Sequence, residues 1–164
     1  MKGEVRPGYK QMEVGVIPED WEVVRLGQLV LSVEYGSSAK SSVKGDIPVL
    51  RMGNLQDGKI HWGDLVYTND KFEIERYTLN RTNTIDLVGK TSIYRGEYTA
   101  IFAGYLIRIK VDQSRLDPEY LNIVLNAEFS RRHSVKVLSV AVGQANITGQ
   151  KVRPSPIPLP PTLA

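Results

Sequence analysis

The 164-residue chain contains no cysteine and two histidines. Without thiolates it forms no disulfide and no cysteine zinc site, and His61 and His133 are too far apart for a shared metal-ligand spacing. We therefore expect no metal and no other cofactor. A chain without cysteine is compatible with the reducing cytoplasm, which is the location we expect.

The chain also lacks long apolar runs. No stretch approaches the roughly 20 apolar residues that span a bilayer, and residues 1–6 lack the apolar segment of a secretory signal, so we expect no leader. With 41% hydrophobic and 24% charged residues, the composition is typical of a soluble globular protein. The length fits a single domain.

Acidic residues are absent from the last part of the chain. Residues 129–164 contain five basic side chains, whereas residues 1–128 hold the other 16 of the 21 basic residues and all 18 acidic ones. The five are Arg131, Arg132, Lys136, Lys151 and Arg153. A basic end on a near-neutral body suits contact with a polyanion. A solvated helix end accounts for the same charges, so both interpretations stay open.

Local patterns predict an α+β fold of small mixed and antiparallel sheets with packed helices. The apolar residues from Leu26 to Val33 have helical spacing, and Gly36 fits a left-handed cap. Strands are predicted over 47–52 and 59–62, joined by a tight Asp57-Gly58 turn.

Further strands are predicted over 91–94 and 98–111. The alternation in 105–111 is typical of a half-buried strand, with a bend at Gly104. His61 is expected to pack beside Trp62.

The most distinct helix signal begins at Asp117. Asp117 is a good N-cap, Pro118 suits the first helical position, and Glu119 favours the positive end of the helix dipole. We expect one helix whose apolar stripe reaches Phe129. Residues 1–17 are expected to form an extended arm, 18–153 the main domain, and the proline-rich residues 154–164 an extended exit segment.

Two short strings imitate catalytic motifs without the context that catalysis needs. Asp117-Pro118-Glu119-Tyr120 approaches the Asp-Pro-Pro-Tyr loop of adenine methyltransferases, but no glycine-rich cofactor loop precedes it. Asp57-Gly58-Lys59 contains the Asp-x-Lys ending of metal-dependent nucleases, but a hairpin turn explains it. We therefore expect no catalytic residue in this chain, and an enzyme remains a minor alternative.

Polar loops offer the groups that recognise nucleic acids. Residues 80–84 supply the Arg81 guanidinium and two amides, which suit the edges of guanine and adenine. Lys90 and Thr91 are well composed for a phosphate contact, and residues 143–149 form a second amide-rich loop. Each loop is equally an ordinary polar turn, so the residues alone indicate only a polar-loop domain with a basic C-terminal part.

Three blocks of sequence together resemble the specificity subunits of Type I restriction–modification enzymes. The opening block covers 8–27 and includes Ile17-Pro18-Glu19-Asp20-Trp21. A central block covers 80–91, and the last combines Gly143-Gln144-Ala145-Asn146-Ile147 with 157–161. The blocks occur in order and span most of the chain, so the chain is identified as similar to a single target recognition domain of such a subunit.

The resemblance implies a non-catalytic, cytoplasmic DNA-binding module. Such subunits carry two recognition domains separated by long helices, and each domain reads one half of a bipartite site in double-stranded DNA. Methyltransferase subunits and, through them, restriction subunits perform the chemistry. An assembly module with weak or no DNA binding of its own is the alternative.

The chain departs from this family pattern in two places. A short Gly-Asp-apolar strand usually precedes the central block, whereas Leu79 here runs directly into Asn80. Either a deletion removes that strand and moves the loop, or a stretch is missing from the sequence. The family continues into a spacer helix beyond the exit segment, and we expect residues 154–164 to lead toward such a helix.

We predict eleven DNA-binding residues from the loops and the resemblance. Most would read base edges, whereas the lysines would neutralise phosphates. The eleven are Ser37, Lys40, Arg51, Asn54, Arg81, Asn83, Lys90, Thr91, Gln144, Asn146 and Lys151.

Overall fold

The computed structural model describes residues 3–87, 89–140 and 152–161 of the chain. Its strands are β1 Tyr9–Met12, β2 Gly15–Pro18, β3 Glu22–Arg25, β4 Val30–Tyr35, β5 Ile47–Leu50, β6 Leu55–Gln56, β7 Lys59–Ile60, β8 Val66–Thr68, β9 Thr84–Leu87, β10 Lys90–Ile93, β11 Ile101–Phe102, β12 Ile107–Val111 and β13 Pro156–Leu159. Its α-helices are α1 Lys71–Tyr77, α2 Pro118–Asn126 and α3 Glu128–Val140, and one-turn 3-10 helices cover Leu26–Gln28 and Met52–Asn54. The predicted α+β fold is confirmed.

The largest sheet has four strands in the order β10-β9-β12-β4, and all neighbours are antiparallel. A second sheet is mixed, because β5 pairs parallel with β11 and antiparallel with β8. Three two-stranded ladders complete the fold: β1–β2, β6–β7 and β13–β3. Small sheets of both kinds are therefore present, as predicted.

Two apolar clusters form the core. One packs α2 against β12, with Leu121 and Ile109 fully buried, and the other surrounds Phe102 between β9, β11 and the β6–β7 ladder. Burial of such side chains contributes about 1.5–3 kcal/mol each. No helix in the described ranges is both long and apolar enough to cross a membrane.

The predicted helix from Leu26 to Val33 is wrong. Leu26–Gln28 forms a single 3-10 turn, and the chain then enters strand β4. Leu26 and Leu29 are buried at the two ends of that turn, which accounts for their spacing. Beyond them, the β-branched Val30 and Val33 pair with β12, a setting that such side chains favour.

Gly36 is not a left-handed cap. It has no positive φ, and a Cβ at this position would lie 2.2 Å from the backbone oxygen of Ala103. A glycine is required here because two backbone segments approach each other closely.

Strand β12 was predicted to be half-buried, but most of its residues are buried. It lies between β9 and β4, and Arg108 on it is 4% exposed. The Arg108 guanidinium pairs with Glu34 and donates to the Thr78 carbonyl at 2.8 Å. Burial raises the pKa of Glu34, but the hydrogen bond and charge of Arg108, together with the charge of Lys110 and a hydrogen bond from Ser32, outweigh burial and lower the pKa overall.

The N-cap signals at Asp117 are confirmed, but the single helix is wrong. The Asp117 carboxylate accepts from the backbone N–H groups of Glu119 and Tyr120. Helix α2 ends at Asn126, because Ala127 is extended and α3 starts anew at Glu128.

The predicted turn at Asp57-Gly58 is confirmed. It joins β6 to β7, and both of its residues have positive φ.

Both ends of the chain contain strands that the sequence analysis describes only as extended. Residues predicted as an arm include the β1–β2 hairpin. In the proline-rich segment, β13 is extended as predicted, and it pairs with β3, so it is part of the folded body. The boundaries at 17/18 and 153/154 stay a prediction.

Candidate nucleic-acid interface

The four-stranded sheet has two ends that carry different loops. Antiparallel register places Ile107, at the start of β12, opposite Asp86 near the end of β9 and Tyr35 at the end of β4. The segments 51–56, 89–90 and 103–106 meet at this end, which we term the cleft end. The segments 80–83, 94–97 and 112–117 meet at the other end, which we term the distal end.

An open cleft of about 820 Å³ lies at the cleft end. Its walls combine one cation, one carboxylate, two amides, an imidazole and aromatic rings. The lining residues are Arg51, Met52, Gly53, Asn54, Gln56, His61, Trp62, Gly63, Asp64, Ala103, Tyr105 and Leu106. Tyr105 is 74% exposed and Met52 is 54% exposed, so the cleft presents two large apolar side chains to solvent.

Arg51 is the cation of this cleft. Its backbone N–H donates to Asn54 Oδ1 at 2.9 Å, and its Nη2 donates to the Asp64 carbonyl at 3.0 Å. The side chain remains 44% exposed. One of the five N–H groups of the guanidinium is used in the Asp64 bond, so the head is oriented while donors remain for a ligand.

A second, smaller cleft of about 470 Å³ adjoins the first through Gln56. Lys90 and Arg131 line it together with Asp57, Gly89 and Asn126. Lys90 Nζ also donates to the Met52 carbonyl at 3.3 Å, which joins β10 to the 3-10 turn beside Arg51. The predicted residues Arg51 and Lys90 therefore belong to one surface.

Ser37 and Asn54 are buried and hold the backbone. Ser37 is 5% exposed, and its hydroxyl donates to Glu73 and accepts from the Ala39 N–H. Asn54 is 3% exposed, and its amide donates to the carbonyls of His61 and Gly63 at 3.0 Å each. Their hydrogen bonds give both residues a structural role in loops that border the cleft.

Asn83 and Thr91 are buried as well. Asn83 Oδ1 accepts from the Asn80 N–H at 2.8 Å, which closes the turn before β9. Thr91 donates its hydroxyl to Asp86 Oδ1 at 2.7 Å. Burial raises the pKa of Asp86 to about 6, although the Thr91 hydroxyl acts in the opposite direction.

Arg81 lies at the distal end, away from Arg51 and Lys90. It is exposed at the start of a turn in which Thr82 has φ +73° and is held by Gln113 and by the Tyr94 carbonyl. Strand β9 separates this turn from the cleft end. The structure thus does not bring Arg81 together with Arg51 and Lys90.

Lys40 is exposed in the loop after Ser37. Ser37 forms a bridge with Ala103, and a Cβ on Gly104 would lie 3.6 Å from the Ser38 Cα, so this loop runs beside the segment that carries Tyr105. The remaining predicted residues, Gln144, Asn146 and Lys151, lie outside the described residues.

Several cleft residues were absent from the sequence prediction. His61 was expected to be a packing residue beside Trp62, but it is exposed and lines the cleft, so that expectation is wrong. Tyr105, Gln56 and Asp64 were also not selected. The Asp57-Gly58 hairpin was a usable signal for Gln56 and His61, because both flank a turn that Arg51 and Asn54 border in sequence.

The family model for the Type I restriction modification DNA specificity domain matches residues 18–164. The chain belongs to this family. The resemblance seen in the sequence is therefore confirmed. Among individual relatives of this DNA specificity domain is a protein of Methanocaldococcus jannaschii assigned as the type I restriction enzyme MjaX specificity subunit. It is 30% identical over 93% of this chain and 39% of its own length.

A second relative of the DNA specificity domain, the type I restriction enzyme MjaVIII specificity subunit of the same organism, is 25% identical over 93% of this chain and 38% of its own length. The chain thus spans about two fifths of the length of the curated relatives it matches.

Solved structures share the fold of this DNA specificity domain. The crystal structure of the HsdS subunit from Thermoanaerobacter tengcongensis superimposes with a TM-score of 0.62 at 17% identity, covering 95% of this chain and 36% of that one. A chain from a structure concerned with assembly and conformational transition of the type I R-M system gives a TM-score of 0.61 at 17% identity, covering 88% and 35%. At this identity the likeness establishes the fold.

Proposed function

We propose that the chain binds double-stranded DNA in a sequence-specific manner through its cleft end and serves as the half-site reader of a Type I specificity subunit. The observation that carries the proposal is the set of cations that line the joined clefts, in a chain that belongs to a family of DNA specificity domains. Arg51, Lys90 and Arg131 provide these charges at one end of the sheet.

The cleft end offers both kinds of contact that sequence recognition needs. Lys90 and Arg131 suit phosphates, which fix the register of a protein on the duplex. Arg51 suits guanine O6 and N7, and Gln56 suits adenine N6 and N7. An open cleft that holds base-reading groups between phosphate-binding groups is a suitable surface for a major groove.

Three of the predicted DNA-binding residues are buried and support the loops that would contact DNA. Asn54 and Thr91 hold the loops that carry Arg51 and Lys90, and Ser37 holds the loop that carries Lys40. Direct DNA contacts by Lys40, Gln144, Asn146 and Lys151 stay predictions, whereas the contact predicted for Arg81, at the distal end, is not part of this proposal.

The partners follow from the same proposal. The chain supplies recognition, and methyltransferase subunits, with restriction subunits bound through them, supply methylation and cleavage. No catalytic role is assigned to any residue of the chain. An assembly module without DNA contacts would not require exposed cations at the rim of a cleft, so DNA reading is favoured.

The direct experiment is selection of duplexes from a random library by the purified chain, followed by mobility-shift titration of the enriched duplex. We expect one short motif to be enriched and bound more tightly than a scrambled duplex. Retention of methyltransferase subunits by a chain that enriches no motif would overturn the proposal in favour of an assembly module.

A further inference from the structure

An aspartate stands beside the arginine of the cleft. The Asp64 side chain is fully exposed, and its Oδ2 lies 3.9 Å from Arg51 Nη2. Both residues line the larger cleft. A cation and a carboxylate are therefore presented side by side on the surface proposed to meet DNA.

Stability does not explain this aspartate. A solvent-exposed ion pair contributes between 0 and about 1 kcal/mol, and a separation of 3.9 Å is at the long limit for such a pair. Asp64 also has φ +52°, in the left-handed region, where aspartate is tolerated but glycine is easier. Near a phosphate backbone the carboxylate adds repulsion as well.

One buried amide fixes the positions of both residues. Asn54 Oδ1 accepts from the Arg51 N–H, and Asn54 Nδ2 donates to the carbonyl of Gly63, the residue before Asp64. The Arg51 guanidinium in turn donates to the Asp64 carbonyl. The backbone segments that carry the two residues, and the Arg51 guanidinium itself, are thus held in place before any ligand binds, which lowers the entropic cost of recognition.

The chemistry of the pair matches one base pair. In the major groove guanine presents the acceptors O6 and N7, to which arginine donates hydrogen bonds. Cytosine presents the N4 amino group, which donates a hydrogen bond to a carboxylate. No other Watson–Crick pair offers this combination in adjacent positions. We propose that Arg51 and Asp64 together read a G·C base pair, with Asp64 accepting from cytosine and Asn54 acting as a positioning residue.

This inference rests on the proposed function, and the chain offers a matched control for testing it. Asp57 is a second exposed aspartate at positive φ, +56°, but it lies at the tip of the β6–β7 hairpin and lines only the smaller cleft. Asp64→Gly and Asp57→Gly each remove one carboxylate from a left-handed position that glycine adopts without strain. Neither variant should impair folding.

The experiment is duplex selection from a random library with the wild-type chain, Asp64→Gly, Asp57→Gly and Arg51→Ala. We expect the wild-type motif to contain a G·C pair. Asp64→Gly and Arg51→Ala should relax that same position, with discrimination falling about tenfold or more. Asp57→Gly removes a carboxylate beside Lys90 and Arg131, so it should change the affinity for all duplexes alike and leave the preference at this position unchanged.

Three outcomes would overturn the inference while leaving the proposed function intact. They are a wild-type motif without a G·C pair, relaxation at different positions in Asp64→Gly and Arg51→Ala, and equal effects of the two aspartate variants. Failure of the wild-type chain to enrich any motif would instead contradict the proposed function itself.

Discussion

The two ends of the four-stranded sheet contain similar residue types but use them differently. At the distal end the arginines are interspersed with acids, and two of them are held within the fold: Arg95 pairs with Glu119 at 2.8 Å, and Arg115 donates to the Gln28 carbonyl. At the cleft end, Lys90 and Arg131 line an open cleft, and the ion pair of Arg51 is long.

The two ends also differ in their ratio of cations to carboxylates, which is higher at the cleft end. The cleft end places the cations Arg51, Lys90 and Arg131 around two carboxylates, Asp57 and Asp64. The distal segments combine Arg81, Arg95 and Arg115 with Glu97, Asp112 and Asp117. The comparison teaches that a polar loop becomes a candidate interface when its neighbours arrange its charges around an open cleft, rather than through its composition.

The largest expected effect is on DNA affinity, when cations are removed from each end of the sheet in turn. We expect the double variant Arg51→Ala/Lys90→Ala to lose affinity for the selected duplex by on the order of 100-fold, because one base contact and one phosphate contact disappear. Arg81→Ala/Arg115→Ala should lose less than about threefold. Mobility-shift titration at one fixed salt concentration measures both, and a greater loss in the distal variant would reverse the comparison.

The buried Asp86 predicts a pH dependence of stability at the cleft end. Its pKa is about 6 in the folded chain and 3.8 ordinarily, so the folded state retains the proton to higher pH and loses stability as pH rises from about 4 to 6. Asp86→Asn removes this loss. Relative to wild type, the variant should gain about 2 kcal/mol in free energy of unfolding between pH 4.5 and 7.

Urea denaturation at the two pH values measures this gain. Because the difference between variant and wild type is compared, titration of other groups such as Glu34 cancels. An identical difference at pH 4.5 and pH 7 would show that Asp86 does not titrate in this range.

Asn126 ties the cleft end to helix α2, and its loss should cost less. Its Oδ1 accepts from the Thr91 N–H at 3.1 Å, and its Nδ2 donates to the Thr91 carbonyl at 2.9 Å. Asn126→Ala should lower the free energy of unfolding by about 1–2 kcal/mol. The control Asn80→Ala, an exposed residue of the distal end, should change it by less than about 0.5 kcal/mol. Equal values in chemical denaturation would argue against a special role of Asn126.

The smallest expected effect is the salt dependence of a single phosphate contact. Lys90→Ala should reduce the slope of log affinity against log salt concentration by about 1, for every duplex alike. Lys71→Ala, at the exposed start of α1, should leave the slope unchanged. A loss confined to one sequence would assign Lys90 to base reading instead.

Local signals in the sequence predicted local structure well. The cap at Asp117 and the turn at Asp57-Gly58 depend on neighbouring residues alone, and both are confirmed. The family could also be recognised, because its sequence blocks are contiguous. These predictions did not require knowledge of which distant segments meet.

Most of the errors concern contacts between distant residues, whereas the break at Ala127 is a local feature that the helical pattern did not predict. Arg108 is buried because Glu34, 74 residues earlier, pairs with it, and Gly36 is needed because Ala103 passes beside it. Arg51 and Asn54 are equally polar in sequence, yet Asn54 is buried by bonds to the carbonyls of His61 and Gly63. No local pattern separates a residue that builds a loop from one that the loop presents.

The most direct test of which end faces DNA uses the absence of cysteine from the chain. Met52→Cys at the cleft end and Asn80→Cys at the distal end each provide one attachment site for a photo-crosslinker, since both positions are exposed. After irradiation with the selected duplex, we predict crosslinked DNA from position 52 and little from position 80. A higher crosslinking yield from position 80 would contradict the assignment of the cleft end as the DNA-binding surface.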